Sequence, residues 1–196
     1  MTIVGIILAA GAGIRMGMPK ANLNYRGEPL ISRAVRTAFA GGCDQVCAVL
    51  GAEVEQAETH AKAEGAFIVV NPSWADGMGV SLRAGLEAVE LMTPDASAAL
   101  VMLVDQPHIT GAAVAAVLSA QRGPADETVL AAAAYEGERG HPVLLGRAHW
   151  PALRPTLTGD VGARAYLREH RDELILVPCE AHADPRDLDR PEDLDR

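Results

Sequence analysis

The fold of this chain is organised around a stretch from Leu8 to Lys20, which reads L-A-A-G-A-G-I-R-M-G-M-P-K. An apolar run from Ile3 to Leu8 precedes it and is typical of a buried β-strand. Small residues then let the backbone approach a bulky group closely, and Arg15 and Lys20 add two positive charges. Because backbone N–H groups and cations both bind phosphate oxygens, this stretch predicts a loop that binds a polyphosphate.

Three interpretations of this loop differ in the structure expected after the glycines. The first is a tight strand-to-helix turn without a ligand. The second is a dinucleotide-binding turn, G-x-G-x-x-x-G at Gly11, Gly13 and Gly17, which needs a helix that begins inside the glycines. The third is a nucleoside-triphosphate loop of the nucleotidyltransferase kind, which is extended and cationic. Prolines, asparagines and a glycine over residues 19–29 leave no room for a long helix and favour the third interpretation.

Composition limits the class of protein. The chain has 196 residues, 49% hydrophobic and only 4% aromatic, which predicts one domain with an aliphatic core. The net charge of −9 argues against nucleic acid as a partner. No apolar run is long enough for a membrane span and no signal peptide is recognisable, so we expect a cytoplasmic protein without a membrane partner. Cys43, Cys47 and Cys179 lack C-x-x-C spacing and are expected to be buried, reduced thiols.

Strands alternate with helices in the first part of the chain. We predict strands over 3–8, 45–50, 66–70 and 98–104, with helices over 29–40, 52–64, 80–91 and 110–120. Thr110 is the expected N-cap of the last of these helices. This alternation predicts an α/β fold of three layers, in which a mostly parallel sheet has helices on both faces.

The alternation stops after residue 122. Strands over 129–134 and 141–145 predict a small antiparallel extension in the C-terminal half. An irregular segment over 150–159, a helix over 161–170 and a last strand over 174–177 are expected to follow. We therefore predict a single domain, 1–196, with a nucleotide-binding half, 1–122, and a half for the second substrate, 123–196.

Three predicted loops begin at the carboxyl ends of predicted strands: Leu8 to Lys20, Asn71 to Ser81 and Asp105 to Thr110. Ligands bind at this edge of a parallel sheet, so the convergence predicts a site. Asp105 follows six apolar residues, and a carboxylate at a strand end suits a hard cation such as Mg²⁺. An Asp that caps the next helix is the alternative, although Thr110 is the better cap.

The loop that begins at Asn71 ends in Gly77-Met78-Gly79-Val80-Ser81-Leu82. Gly77 and Gly79 allow the backbone to approach a ligand closely. Ser81 is expected to begin a helix, where its hydroxyl and N–H could bind a base or a ribose. The alternative is that Ser81 is only the N-cap of that helix.

These motifs resemble those of MobA-like nucleotidyltransferases. The patterns are L-A-A-G-x-x-x-R-M-G-x-x-K, N-x-x-W-x-x-G-M-x-x-S-L and D-x-P, and the resemblance extends from Ile3 to about Leu194. It is closest to the molybdenum cofactor cytidylyltransferases, because the guanylyltransferase branch usually has L-A-G-G where this chain has Leu8-Ala9-Ala10-Gly11. The resemblance implies a Rossmann-like nucleotidyltransferase fold. It also implies a set of nucleotide-binding residues: Leu8, Ala9, Ala10, Gly11, Gly13, Arg15, Lys20, Asn71, Gly79 and Ser81.

The resemblance implies an activity as well. CMP would pass from CTP to the phosphate of a molybdopterin-type cofactor, with Mg²⁺ as cofactor and release of pyrophosphate. Arg15 and Lys20 would be the catalytic residues, because they stabilise charge on the phosphates, and Asp105 would hold the metal. A molybdoenzyme or its maturation chaperone would be a further partner that receives the product.

The second half contains two further motifs that resemble the family's second-substrate side. They are G-H-P at 140–142 and L-x-G-D-x-G-A-R at 157–164, which make His141, Asp160 and Arg164 the candidates for binding the acceptor. A purely structural histidine and a helical ion pair between Asp160 and Arg164 are the alternatives.

The chain ends in an acidic tail, D-P-R-D-L-D-R-P-E-D-L-D-R, over residues 184–196. It resembles the closing D-x-D-x-P-E-D-L motif of the family, so one of its carboxylates is expected to complete the metal site begun by Asp105. The spacing favours Asp187, while Asp189 and Asp184 remain open. A solvated acidic end without function is the alternative.

Two other classes of function remain open at this point. One is an NAD(P)H-dependent oxidoreductase, since some relatives of the family are described as oxidoreductases acting on a pigment; Glu53 is the one candidate for its ribose-binding acid. The other is a nucleotide-binding regulatory subunit without turnover. A nucleotidyltransferase with another nucleotide or acceptor is also compatible with the sequence.

Overall fold

A computed structural model describes residues 2–123 and 126–195, and its central feature is a seven-stranded sheet. The strands of these residues are, in chain order, β1 (Thr2–Ala9), β2 (Asn24–Tyr25), β3 (Glu28–Pro29), β4 (Gln45–Leu50), β5 (Phe67–Val70), β6 (Ala96–Leu103), β7 (Leu130–Tyr135), β8 (Glu138–Gly146) and β9 (Ile175–Pro178). The α-helices are α1 (Leu30–Ala40), α2 (Val54–Ala63), α3 (Met78–Met92), α4 (Gly111–Leu118), α5 (Trp150–Leu153) and α6 (Arg164–Glu169).

The strand order of the large sheet is β5-β4-β1-β6-β8-β7-β9. Strands β5, β4, β1 and β6 are parallel to one another, β8 is antiparallel to both β6 and β7, and β9 is parallel to β7. The short strands β2 and β3 form a separate antiparallel pair. The predicted mostly parallel α/β sheet with an antiparallel extension is therefore confirmed.

Strand β8 brings the second half of the chain to the functional edge of the sheet. Its antiparallel pairing with β6 runs from Ala98 opposite Gly146 to Val101 opposite Val143. The residues of β8 before Val143 consequently lie beside the carboxyl end of β6, where Asp105 follows. This register places residues 138–142 at the same edge as the loops after the parallel strands.

Strand β1 is buried on both faces, which explains its continuous apolar sequence. Val4, Ile6 and Leu8 pack into one core cluster with helices α3, α5 and α6, while Ile7 and Ala9 pack into a second cluster with α1, α2 and α4. Successive side chains point to opposite faces, so one strand supports both helix layers. Burial of each isoleucine contributes about 1.5–3 kcal/mol to stability.

The structure corrects three predicted boundaries. Residues 150–159, expected to be irregular, contain α5 and a 3₁₀ turn, because Trp150 and Leu153 are buried against the sheet. The helix expected over 161–170 begins only at Arg164, because Gly162 has a positive φ of 54°. Helix α3 begins at Met78 rather than at Val80, so Ser81 lies inside the helix and is not its N-cap.

Other local expectations are confirmed. The Thr110 hydroxyl caps α4 by accepting a hydrogen bond from Ala113 N at 3.3 Å. Cys43, Cys47 and Cys179 are free and buried, and burial raises the pKa of the Cys43 and Cys47 thiols to about 12. None of the described helices is both long and apolar enough to cross a membrane. Arg196, the end of the predicted acidic tail, lies outside the described residues.

Candidate active site

A first cleft of about 600 Å³ opens at the carboxyl ends of β1 and β6. Its residues come from the loop after β1, the loop before α3, the end of β6 and the tail. They include Leu8, Ala9, Ala10, Gly11, Gly13, Arg15, Lys20, Trp74, Ser81, Asp105, Asp160 and Asp189. The cleft thus brings together the predicted glycine-rich loop, its two cations and the carboxylate at the end of β6.

The glycine-rich loop closes on itself instead of starting a helix. Gly13 has a φ of 61°, and a Cβ atom at this position would lie 1.9 Å from the Met18 carbonyl oxygen. Its own carbonyl oxygen accepts hydrogen bonds from Met16 N at 2.8 Å and Gly17 N at 2.9 Å. The next element after the loop is a single 3₁₀ turn, Lys20–Asn22, and not an α-helix. The loop therefore lacks the helix N-terminus that a dinucleotide-binding turn places on a pyrophosphate.

Trp74 forms one wall of the first cleft, a position that the sequence left open. A Cβ atom on Gly51 would lie 2.5 Å from the Trp74 side chain and 2.6 Å from the Ala10 carbonyl oxygen. That carbonyl oxygen also accepts a hydrogen bond from Ala52 N at 3.0 Å. Glycine at position 51 thus allows Trp74 and the loop after β1 to pack against each other, and Trp74 is held beside the cleft.

Lys20 lies between two carboxylates from distant parts of the chain. Its Nζ donates hydrogen bonds to Asp105 Oδ2 at 2.7 Å and to Asp189 Oδ1 at 2.5 Å. The second oxygen of Asp189 accepts a hydrogen bond from Arg15 Nη1 at 3.1 Å. Two cations of the loop and two carboxylates of the strand end and the tail therefore form one charged cluster in the first cleft.

The charges in this cluster shift each other's protonation equilibria. Burial alone would lower the pKa of Lys20, but the hydrogen bonds and charges of Asp105 and Asp189 outweigh it and raise the pKa above its usual value. The hydrogen bond from Lys20 lowers the pKa of Asp189. Lys20 is thus a fixed positive charge and Asp189 a fixed negative charge at neutral pH.

Asp187, the favoured second metal ligand of the sequence analysis, lies in a different environment. Its Oδ1 accepts a hydrogen bond from Gln106 Nε2 at 2.8 Å, and it lines a second cleft rather than the first. Burial, followed by the charge of Asp105, raises its pKa. Asp184 instead pairs with Arg186 at 2.5 Å. The structure therefore places Asp189, and not Asp187, on the same cation as Asp105.

The tail that carries these carboxylates is fixed by its backbone. Leu188 N donates a hydrogen bond to the Asp105 carbonyl oxygen at 2.8 Å, and the Leu188 side chain is buried in the core. The backbone N–H groups of Asp189 and Arg190 both donate to Asp193 Oδ2, and a 3₁₀ turn follows over Pro191–Asp195. This part of the acidic tail is therefore fixed against the rest of the protein and lines the clefts, and it is not a solvated end.

Asn71, Gly79 and Ser81 support the first cleft in different ways. The buried Asn71 side chain donates from Nδ2 to Ser81 Oγ at 3.0 Å, and its Oδ1 accepts from Ser73 N. Ser81 lines the cleft, whereas Asn71 and Gly79 are not among its lining residues. A Cβ atom on Gly79 would lie 2.9 Å from the Gly159 carbonyl oxygen, so the close approach is to the 158–159 loop and not to a ligand.

The second cleft, of about 430 Å³, adjoins the first and shares Leu8, Met78 and Leu103 with it. Of the predicted acceptor residues, His141 and Arg164 line this second cleft, while Asp160 lines the first and accepts a hydrogen bond from Met78 N at 3.3 Å. Asp160 and Arg164 form no helical ion pair, because Asp160 lies in the turn before α6. The structure therefore divides the predicted acceptor residues between the two clefts.

Sequence reasoning missed Arg139, which also lines the second cleft. It is two residues before His141 on β8, in the segment where the pairing with β7 shifts register, and both residues line the second cleft. This period of two was the available signal in E-R-G-H-P. Burial lowers the pKa of His141 to about 4; Asp105 opposes the shift, and Arg139 and Arg164 reinforce it. The imidazole is therefore neutral at neutral pH.

The donor set of the first cleft fits a hard divalent cation. Within residues 2–123 and 126–195, no group of three or more histidine, cysteine or acidic side chains could hold a metal on its own. Asp105 and Asp189 nevertheless already share one cation, the Lys20 ammonium. Mg²⁺ is commonly held by one or two carboxylates together with water and substrate phosphates, and the two carboxylates beside the glycine-rich loop are of this kind.

Comparison with known proteins identifies the family of this chain. The model of the MobA-like NTP transferase domain matches residues 5–174. Nicotine blue oxidoreductase from Paenarthrobacter nicotinovorans is 37% identical over 202 residues, which cover 99% of this chain and 95% of that protein.

Solved structures show the same similarity. Rv0371c from Mycobacterium tuberculosis H37Rv has a TM-score of 0.84 and 26% identity, covering 100% of this chain and 96% of that one. Its complex with manganese has a TM-score of 0.78 at the same 26% identity, covering 100% and 97%. The glycine-rich loop, its cations and the strand-end aspartate thus lie within a match that spans most of the sequence, and the chain belongs to the MobA-like NTP transferase family.

Proposed function

We propose that this protein is a Mg²⁺-dependent cytidylyltransferase, which transfers CMP from CTP to the phosphate of a molybdopterin-type cofactor and releases pyrophosphate. Nucleotide transfer is the activity expected from family membership, and the proposal specifies the nucleotide and the acceptor. A molybdoenzyme or its maturation chaperone would then receive the product.

One observation carries the proposal: Lys20, at the end of the glycine-rich loop, bridges Asp105 and Asp189. A triphosphate in the first cleft would meet the backbone of residues 11–15, the exposed Arg15 guanidinium and this cluster. Among the described residues, none of the N–H groups of 11–15 donates a hydrogen bond to the protein, so they are free to bind phosphate oxygens.

The chemistry requires positioning and charge stabilisation more than covalent help from the protein. An oxygen of the acceptor phosphate would attack the α-phosphorus of CTP, forming a new P–O bond while the bond from the α-phosphorus to the bridging oxygen breaks. The electron pair leaves with pyrophosphate. Arg15 and Lys20 would stabilise the negative charge that grows on it. No general base is needed, because the attacking phosphate is already ionised.

Asp105 and Asp189 are the residues that would hold the metal. When bound, Mg²⁺ neutralises charge on the phosphates and orients them. Lys20 contacts one oxygen of each carboxylate, so a metal held by those same oxygens would compete with its ammonium group. The manganese complex of the homologue Rv0371c supports a divalent metal in this family.

CTP is the proposed nucleotide because of the residues after β1. Ala10 occupies the position where the guanylyltransferase branch usually has glycine, and both Ala9 and Ala10 line the first cleft. A methyl group here reduces the room beside the backbone and so favours a pyrimidine over a purine.

A second candidate is an NAD(P)H-dependent oxidoreductase, favoured by the 37% identity to nicotine blue oxidoreductase. Three features argue against it. The loop after β1 begins no helix. Glu53, the candidate ribose-binding acid, adopts a left-handed conformation before α2 and does not line the first cleft. The Lys20 cluster also has no evident task in hydride transfer.

Release of pyrophosphate from CTP in the presence of Mg²⁺ and molybdopterin tests the proposal. The transferase predicts pyrophosphate in proportion to acceptor. An oxidoreductase predicts NADPH oxidation without pyrophosphate, and a regulatory subunit predicts nucleotide binding without either product. Binding can be followed in parallel by the thermal shift caused by CTP, GTP, ATP or NADPH, each with Mg²⁺.

A further inference from the structure

The side chains that β8 contributes to the second cleft change from charged to apolar along the strand. Arg139, His141, Val143 and Leu145 alternate along β8, and all four line the cleft. The register with β6 puts Leu145 opposite Ala99 and Val143 opposite Val101, toward the carboxyl end of β6. Arg139 lies beyond this pairing and is opposite Ala134 of β7, after a shift in register. A cation thus lies at one end of the cleft and aliphatic side chains lie at the other, with a neutral imidazole between them.

The deeper part of the cleft is an apolar floor, which we define by residues from four elements: Leu82, Val101, Val143, Leu145 and Leu167. Apart from Leu82 on α3 and Leu167 on α6, these are residues of the central strands β6 and β8. All are buried. A polar group placed on this floor would lose its water without gaining a hydrogen bond from these side chains, which costs a few kcal/mol.

The outer part of the cleft is a cationic mouth, formed by Arg139 and Arg164. Among the described residues, neither guanidinium forms an ion pair with a carboxylate. Burial, followed by the charge of Arg164, lowers the pKa of Arg139. Asp187, which lines the same cleft, is hydrogen-bonded to Gln106 and is paired with neither arginine. The two like charges therefore repel each other, and a bound anion would relieve this repulsion.

We propose that the second cleft binds a phosphomonoester with an apolar body, whose phosphate lies in the cationic mouth and whose body packs on the apolar floor. Arg139 is the anchor of that phosphate, with Arg164 as its second cation. This inference rests on the proposed transferase function, because it assigns the acceptor's chemistry. The two clefts share Leu8, Met78 and Leu103, so an acceptor bound in the second cleft would lie next to a nucleotide bound in the first.

The inference restricts the acceptor. A sugar phosphate would place hydroxyl groups on the floor and leave them without hydrogen-bond partners. A molybdopterin-type cofactor meets the requirement only if the polar edge of its pterin stays near Gln106 and Asp187, which line the same cleft outside the floor.

Calorimetric titration of the full-length protein with phenyl phosphate tests the inference. Inorganic phosphate and glucose 1-phosphate serve as probes that lack the apolar body. We expect phenyl phosphate to bind at least about tenfold more tightly than either, since burying a ring that size contributes more than one tenfold step in affinity. Saturating CTP with Mg²⁺ should not displace it, because the two ligands occupy different clefts.

Three variants assign the binding to residues. Arg139→Gln should weaken phenyl phosphate about 10- to 100-fold, as expected for a lost charge-assisted hydrogen bond. Arg168→Gln is the matched control, since Arg168 is exposed on α6 and does not line the cleft. Val143→Thr keeps the size and the β-branch, and should weaken phenyl phosphate while leaving inorganic phosphate unchanged.

Several results would overturn the inference. They are equal affinity for phenyl phosphate and glucose 1-phosphate, unchanged affinity in Arg139→Gln, no binding of phenyl phosphate, or its displacement by CTP. If CTP with Mg²⁺ still binds and pyrophosphate is still released, only the acceptor assignment fails. If CTP does not bind at all, the proposed transferase function fails, whatever phenyl phosphate does.

Discussion

Replacement of Lys20 by methionine should change metal affinity and turnover in opposite directions. In the structure the Lys20 ammonium bridges Asp105 and Asp189 at 2.7 and 2.5 Å. We expect a divalent cation that binds before the nucleotide to use the same two carboxylate oxygens and so to compete with this ammonium. Methionine keeps the length of the side chain and removes the charge, so the carboxylates become free to bind the metal.

The magnitude can be worked out from the two hydrogen bonds. A hydrogen bond between charged groups contributes about 1.5–3 kcal/mol, and the contact with Asp105 belongs in this range because both side chains are less than one-fifth exposed. The bond to Asp189 contributes less, since that carboxylate is 44% exposed and screened by water. We therefore expect Mn²⁺ to bind Lys20→Met about 10- to 100-fold more tightly than the natural protein in the absence of nucleotide.

Turnover should fall in the same variant. Loss of one donor that stabilises charge in the transition state typically lowers the rate about 100- to 1000-fold. Metal binding is measured by electron paramagnetic resonance of free Mn²⁺, and turnover by pyrophosphate release. Lys62→Met is the control, because Lys62 pairs with Glu58 on the surface of α2 and should affect neither measurement. Equal Mn²⁺ affinity in Lys20→Met and the natural protein would refute the competition between ammonium and metal.

The remaining predictions concern the carboxylates and the nucleotide. Asp189→Asn should lower turnover and Mn²⁺ affinity more than Asp187→Asn, because Asp189 shares a cation with Asp105; the reverse order would return the metal site to Asp187. In thermal unfolding, the lowered pKa of Asp189 predicts a stabilising contribution that is full above about pH 4 and is lost as the pH falls through its folded pKa. The raised pKa of Asp187 predicts the opposite: Asp187→Asn should be more stable than the natural protein above the folded pKa, with no difference once the pH falls below about 4. CTP with Mg²⁺ should raise the unfolding temperature more than GTP with Mg²⁺, and an equal or larger shift with GTP would contradict the role given to Ala10.

Features that depend on a short stretch of sequence could be predicted. The strand before Gly11 is apolar throughout because it is buried on both faces. Glycines and prolines after it prevent a long helix. The Thr110 hydroxyl caps α4 because it lies three residues before a backbone N–H that has no partner within the helix. Helix α5 was missed because prolines and a glycine over residues 151–159 suggest loop, whereas burial of Trp150 and Leu153 stabilises a helical turn.

Features that depend on distant contacts could not be predicted. The glycine at position 79 is required by the Gly159 backbone, which the local sequence cannot reveal. Arg139 follows a polar turn and has the composition of a solvated surface. Only the antiparallel pairing of β8 with β6 brings it to the edge that carries Asp105. The second cleft is therefore predicted less well than the first, because most of its residues come from the second half of the chain.

The tail contributes residues to both clefts from one short segment. Asp187 and Asp189 flank the buried Leu188, whose N–H donates to the Asp105 carbonyl oxygen. Because of this anchor the two carboxylates are fixed relative to Asp105, yet Asp187 lines the second cleft and Asp189 the first. Their opposite pKa shifts result from this division, since Asp189 faces two cations and Asp187 faces burial and the charge of Asp105. The same short segment therefore contributes one carboxylate to each cleft, and the anchor at Leu188 sets the position of both relative to the end of β6.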